Sequence, residues 1–133
     1  MKHHITLTIT SLLSILFFTF HFADDIVRGF EPGGVKNFTG VLILAVWLYA
    51  TLVLAERRSG LVIVLIASIG GAGVPVIHMM GKGLVGGRIA NSGGIFFWVW
   101  TLIAVGVTAT VSVMLAARAL WNLRRVQPRR SSS

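Results

Sequence analysis

GLVIVLIASIGGAGVPVIHMM, residues 60–80, runs for 21 positions with no ionisable side chain except the imidazole of His78. At 1.5 Å per residue a helix of that length covers about 30 Å, the depth of the hydrocarbon layer of a bilayer. A backbone in lipid satisfies its own amides only as a helix or a closed barrel, and this stretch has no alternating pattern. It reads as a membrane-crossing helix.

Three more apolar runs flank it, at 5–23, 40–55 and 95–117. The second is short and borrows Phe38 and Thr39 to reach the length that a crossing needs. Helices are therefore predicted at about 5–28, 38–55, 60–80 and 94–121. The fold class is all-α: an integral membrane four-helix transmembrane bundle. Residues 1–123 form one transmembrane domain, and 124–133 form a basic, disordered cytoplasmic tail.

Composition supports this. Of 133 residues, 55% are hydrophobic and 12% charged, with a mean hydropathy of +0.84. A soluble domain of this size buries too small a share of its surface to hide that much hydrocarbon. The absence of cysteine rules out disulfides and thiolate metal ligands. Met1-Lys2-His3-His4 resembles a short basic leader, but the apolar run after it is long for one. The best cleavage point, after Ala23, would also put His21 where a small residue is required. The first run is expected to stay as a helix.

Basic residues set the expected orientation. Lys2, Arg57, Arg58, Arg118, Arg124, Arg125, Arg129 and Arg130 fall on one side, against Arg28, Lys36, Lys82 and Arg88 on the other. The positive-inside rule puts the first group, and both termini, in the cytoplasm (N-in/C-in) of a multi-pass cell-membrane protein. The net charge of +8 then belongs to a tail that meets anionic lipid headgroups, and nucleic acid is not expected as a partner.

Small residues mark the helix faces expected to pack. Ala67 and Gly71, and Ser68 and Ala72, stand four apart in the third helix, and Gly106, Ala109, Thr110, Ser112 and Ala116 line the fourth. Close packing of these two helices is predicted. Pro75 removes one amide donor, and a kink is expected there, one turn before His78. Phe96, Phe97, Trp98 and Trp100 read as an aromatic belt at one interface and Trp121 as part of the other.

The chemistry-bearing residues collect near one membrane face. His21 lies about 9 Å and Asp24 and Asp25 about 14–15 Å beyond the middle of the first helix, and His78 about 12 Å beyond the middle of the third. His21 shares a helix face with both aspartates at spacings of three and four. Three uses of this cluster compete. Asp24 and Asp25 can pair with Arg28 as plain interfacial ion pairs. His21, Asp25 and His78 can ligate a divalent transition metal, with Asp24 orienting a ring. The two histidines can instead be axial ligands of a haem, with room made by Gly71 and Gly73 and propionates met by Arg28, Lys82 or Arg88.

Residues 81–88, rich in glycine with Lys82 and Arg88, lack the strand-to-helix setting and spacing of a phosphate-binding loop and read as a connection. No catalytic motif is present. The leading expectation is a non-enzymatic membrane component that works as a homo-oligomer or as an accessory subunit of a larger membrane complex. A metal- or haem-binding redox protein and a small oligomeric transporter are the alternatives. The lack of an ionisable residue at mid-membrane weighs against transport.

Overall fold

The computed structural model describes residues 2–31, 33–80 and 93–126. It contains four long α-helices: α1 (Lys2–Val27), α2 (Phe38–Leu52, entered through a 3₁₀ turn at Val35–Asn37), α3 (Arg58–Met80) and α4 (Ile95–Val126). All four are long and apolar enough to cross a membrane. The glycine-rich stretch 81–88 lies outside the described residues, as do Arg129 and Arg130.

α4 is the hub. It packs along α1 on one side and α3 on the other, and α2 closes the bundle against α3 and α1. α1 and α3 face each other across the diagonal and touch only sparingly. Ends are defined locally. α1 stops where Gly29 turns to φ +72°. There Gly29 N–H donates to Ile26 O at 3.0 Å and Phe30 N–H to Asp25 O at 2.9 Å, the paired bonds of a glycine-terminated helix. α2 ends at Leu52, three residues short of the expected 55. The turn that follows brings Gly60 against the Leu54 backbone, where any side chain would collide. α4 continues five residues past the expected 121. Arg125 lies 5.5 Å over the ring of Trp121, and arginines suit the carbonyl end of a helix. Arg124 and Arg125 are thus helical and outside any disordered tail.

The expected close approach of α3 and α4 is present. A Cβ on Gly71 would stand 3.2 Å from the Ala109 methyl group and 3.2 Å from the Trp47 ring. A Cβ on Gly106 would stand 2.7 Å from Pro75 Cγ. α3 continues as a helix through Pro75, and the proline ring nests on Gly106 of its neighbour.

Polarity is inverted relative to a water-soluble bundle. Ser11, Ser14, His21, Asp25, Thr51, Ser68, Thr101 and Ser112 are buried, while Ile5, Leu42, Ile43, Ile66, Ile77 and Val107 are exposed. Most of the interior hydroxyls are bonded, with Ser68 Oγ the buried exception. Trp47 Nε1–H donates to Ser11 Oγ at 2.9 Å, Ser11 and Thr51 hydroxyls pair at 2.8 Å, and Ser112 Oγ donates to Thr10 Oγ1 at 3.0 Å. Two apolar clusters complete the core. One surrounds Trp47, Ala50, Leu61, Val64 and Ala116 near the chain termini, and the other surrounds Trp98 and Leu102 at the opposite end.

Candidate metal centre

At the end of the bundle remote from the termini, α1, α3 and α4 converge on three side chains. α1 presents Leu7, Ser11, Ser14, Ile15, His21 and Asp25 as one buried face, at spacings that follow the helical repeat. The last turn of that face carries the chemistry. α3 brings His78 across the diagonal, one turn beyond Pro75.

His21 Nε2 and His78 Nε2 stand 3.2 Å apart. Asp25 Oδ2 lies 3.6 Å from the first and 3.7 Å from the second. Two neutral imidazole nitrogens at that distance share either one proton or one metal ion. The carboxylate separations are too long for hydrogen bonds. They are the right length for two donors on one ion: ligands about 2.1 Å from a tetrahedral centre stand about 3.4 Å apart. A point about 2.1 Å from all three atoms exists, close to the plane they define.

Hydrogen bonds with surrounding groups hold the donor atoms of Asp25 and His21 in place. Trp98 Nε1–H donates to Asp25 Oδ1 at 2.7 Å, which leaves Oδ2 turned toward the histidines. Thr101 Oγ1 lies 3.0 Å from the carbonyls of Phe97 and Trp98, either of which takes its proton. The hydroxyl is then an acceptor for His21 Nδ1–H at 3.3 Å. This network assigns the proton to Nδ1 and leaves the Nε2 lone pair directed at the cluster. The indole of Trp98 packs against both imidazoles, with centroids 5.1 Å from each. The side chains of His21 and Asp25 are 4% and 10% exposed and that of His78 is 28% exposed, so the cluster opens on the α3 side.

Sequence reasoning placed His21, Asp25 and His78 together in depth, and the fold brings them together in space. Other expectations need correction. Asp24 does not orient a histidine: its Oδ2 accepts from Arg28 Nε at 2.9 Å, and Arg28 Nη2 donates on to Gly93 O at 3.0 Å. That chain ties the end of α1 to the entry of α4. Trp98 is no belt residue, being 1% exposed, because its face of α4 turns to α1 and its neighbours Phe96 and Trp100 take the outward face. The haem arrangement meets a steric obstacle. Axial nitrogens on either side of one iron are about 4 Å apart, whereas here they are 3.2 Å apart in perpendicular rings, with Trp98 on their flank. Gly71 leaves no slot, since Ala109 and Trp47 fill its space, although nothing stands within 4 Å of where a Gly73 Cβ would be. Lys82 and Arg88 lie outside the described residues.

Trp98 and Thr101 were missed. An aromatic residue at a helix start suggests an interface, and one threonine among several suggests packing. The available signal was their spacing of three, which puts both on one face of α4. No protein-family profile, curated protein or solved structure matches this chain.

Proposed function

We propose that the chain is a four-helix protein of the cell membrane, with both termini cytoplasmic, that holds a divalent transition-metal ion between α1 and α3 through His21, Asp25 and His78. The observation that carries this reading is the triangle of donor atoms with edges of 3.2, 3.6 and 3.7 Å. Its two carboxylate edges are too long for hydrogen bonds and suit a shared ion. The apolar outer surface supports insertion, because large hydrophobic side chains turned outward and polar groups mostly paired inside is the arrangement that lipid favours. The bias of basic residues supports the orientation. Beyond α4, Arg129 and Arg130 would meet anionic headgroups.

The test is the metal content of the detergent-purified full-length protein after incubation with zinc, iron or copper and removal of excess ion. One ion per chain in the wild type, lost in His21→Ala and His78→Ala, is the expected result. A wild-type chain that stays bare with all three ions overturns the proposal.

A second reading, assembly as a homo-oligomer or within a larger complex, rests on a different feature. A cleft of about 600 Å³ between α2 and α3 is lined by Phe18, Leu42, Val46, Ile66, Gly70 and Val74, and opens outward. Nothing stands within 4 Å of where a Gly70 Cβ would be, so a neighbouring helix can approach closely. Blue-native electrophoresis of the solubilised protein tests this, and a lone monomer with no companion subunit would defeat it.

A further inference from the structure

We infer that the centre is built for a four-coordinate ion of the zinc class with one exchangeable position, and that Trp98 fixes this coordination number by occupying one oxygen of Asp25. The inference rests on the reading that His21, Asp25 and His78 are ligands.

Geometry distinguishes the ion classes. Three donors on one face of an octahedral ion meet at right angles and stand about 3.0 Å apart for bonds of about 2.1 Å. Tetrahedral donors stand about 3.4 Å apart. The edges here, 3.2, 3.6 and 3.7 Å, lie around the wider value.

The carboxylate leads to the same conclusion. A bidentate Asp25 would raise the coordination number, but Oδ1 already accepts the Trp98 indole N–H at 2.7 Å in a buried setting. Turning Oδ1 to the ion would leave that donor buried and unpaired, which proteins avoid. Asp25 therefore gives one oxygen only. Thr101 does the equivalent for His21 by holding Nδ1–H at 3.3 Å. Trp98 and Thr101 are positioning residues: both sit on α4, and neither touches the ion.

Three such donors gather here among the described residues. Among the described residues, the cluster contains no fourth histidine, cysteine or carboxylate, and Asp24, the nearest in sequence, is held by Arg28 at 2.9 Å. The fourth position falls to water or a small anion, as in zinc centres that keep an open site. The greater exposure of His78 marks the side from which such a ligand enters.

Cobalt(II) is the probe, because its visible bands are intense in four-coordinate sites and weak in six-coordinate ones. The full-length detergent-solubilised protein loaded with cobalt is expected to show the intense pattern and to change on addition of azide. Trp98→Phe keeps the ring and removes the donor. It is expected to weaken the bands and to cut the preference for zinc over manganese by about tenfold or more. Weak, six-coordinate bands in a cobalt-loaded wild type overturn the inference while leaving the metal centre in place. Insensitivity to azide overturns the exchangeable position, and an unchanged Trp98→Phe spectrum overturns the role of Trp98. Should that variant fail to fold, X-ray absorption on the zinc-loaded wild type decides. Four nitrogen or oxygen neighbours near about 2.0 Å support a one-oxygen Asp25, and five or more overturn it. Failure of the wild type to bind cobalt or zinc at all defeats the underlying ligand assignment instead.

Discussion

The indole of Trp98 and the carboxylate of Asp25, 73 residues apart in sequence, are joined by a 2.7 Å hydrogen bond in the buried end of the bundle. This bond links α4 to α1, and it chooses which oxygen of the aspartate faces the two histidines. Helix packing and the arrangement of the candidate centre are therefore one construction, and changes at either residue should register in both.

Thr101→Val is expected to lower metal affinity about 10- to 100-fold, the usual effect of losing a group that orients a ligating histidine. Valine matches threonine in shape but offers no acceptor to Nδ1–H, and Thr101→Ser should restore binding. Competition against a chromophoric chelator measures both variants. Equal affinity in wild type and Thr101→Val would show that this hydroxyl does not orient His21.

A bound ion should raise stability in proportion to its occupancy. A metal at one hundred times its dissociation constant adds about 2.7 kcal/mol to a protein that binds it only when folded. Thermal or detergent-driven unfolding, followed with and without zinc, should show this gain in the wild type. The gain should vanish in Asp25→Ala.

Ser11→Ala leaves the Trp47 indole N–H without its partner in the interior and is expected to cost about 1–2 kcal/mol. Trp47→Phe removes the donor but keeps the Ser11–Thr51 pair and should cost less for the lost hydrogen bond, about 0.5–1 kcal/mol. Reversible unfolding in mixed detergent micelles gives the comparison. The opposite order would mean that ring packing outweighs the hydrogen bond.

Two glycines on the helix surfaces should respond in opposite ways. Gly106→Ala drives a methyl group against Pro75, at 2.7 Å from Cγ, and is expected to destabilise by about 1–3 kcal/mol. Gly70→Ala meets open space and should be neutral or add up to about 1 kcal/mol through helix propensity. The same unfolding assay reads both.

Because the chain has no cysteine, single cysteines report sidedness without background. Ser59→Cys, in the first turn of α3, is expected to react with an impermeant maleimide only after the cytoplasmic face is opened. Gly93→Cys should react in intact cells. The reverse pattern would place both termini outside.

The four helices were legible because each apolar run approaches the roughly 20 residues that a bilayer crossing needs, the second, at 40–55, being the shortest. The His21–Asp25 face was legible because four residues make slightly more than one helical turn. His78 was legible in depth but not in direction, since a helix apolar on every side gives no sign of which face turns inward. That same uniformity concealed Trp98 and Thr101. The Ser11–Trp47–Thr51 network also went unseen, though Leu7, Ser11, Ser14, His21 and Asp25 form a stripe that repeats at the helical period. The ring of Pro75 rests on Gly106, a contact between helices that local rules do not contain.

The apolar outer surface of the bundle has a consequence for how the chain would be made if it enters a bilayer as proposed. In water, collapse would gather the outer leucines, isoleucines and valines first and strand the serine, threonine and histidine side chains on the outside, so an aqueous route leads away from the native packing. On the proposed membrane reading, the nascent chain would need hydrocarbon around it before its helices meet. Recovery from denaturant should therefore depend on adding lipid or detergent ahead of dilution, with the order of addition deciding between a folded bundle and a precipitate.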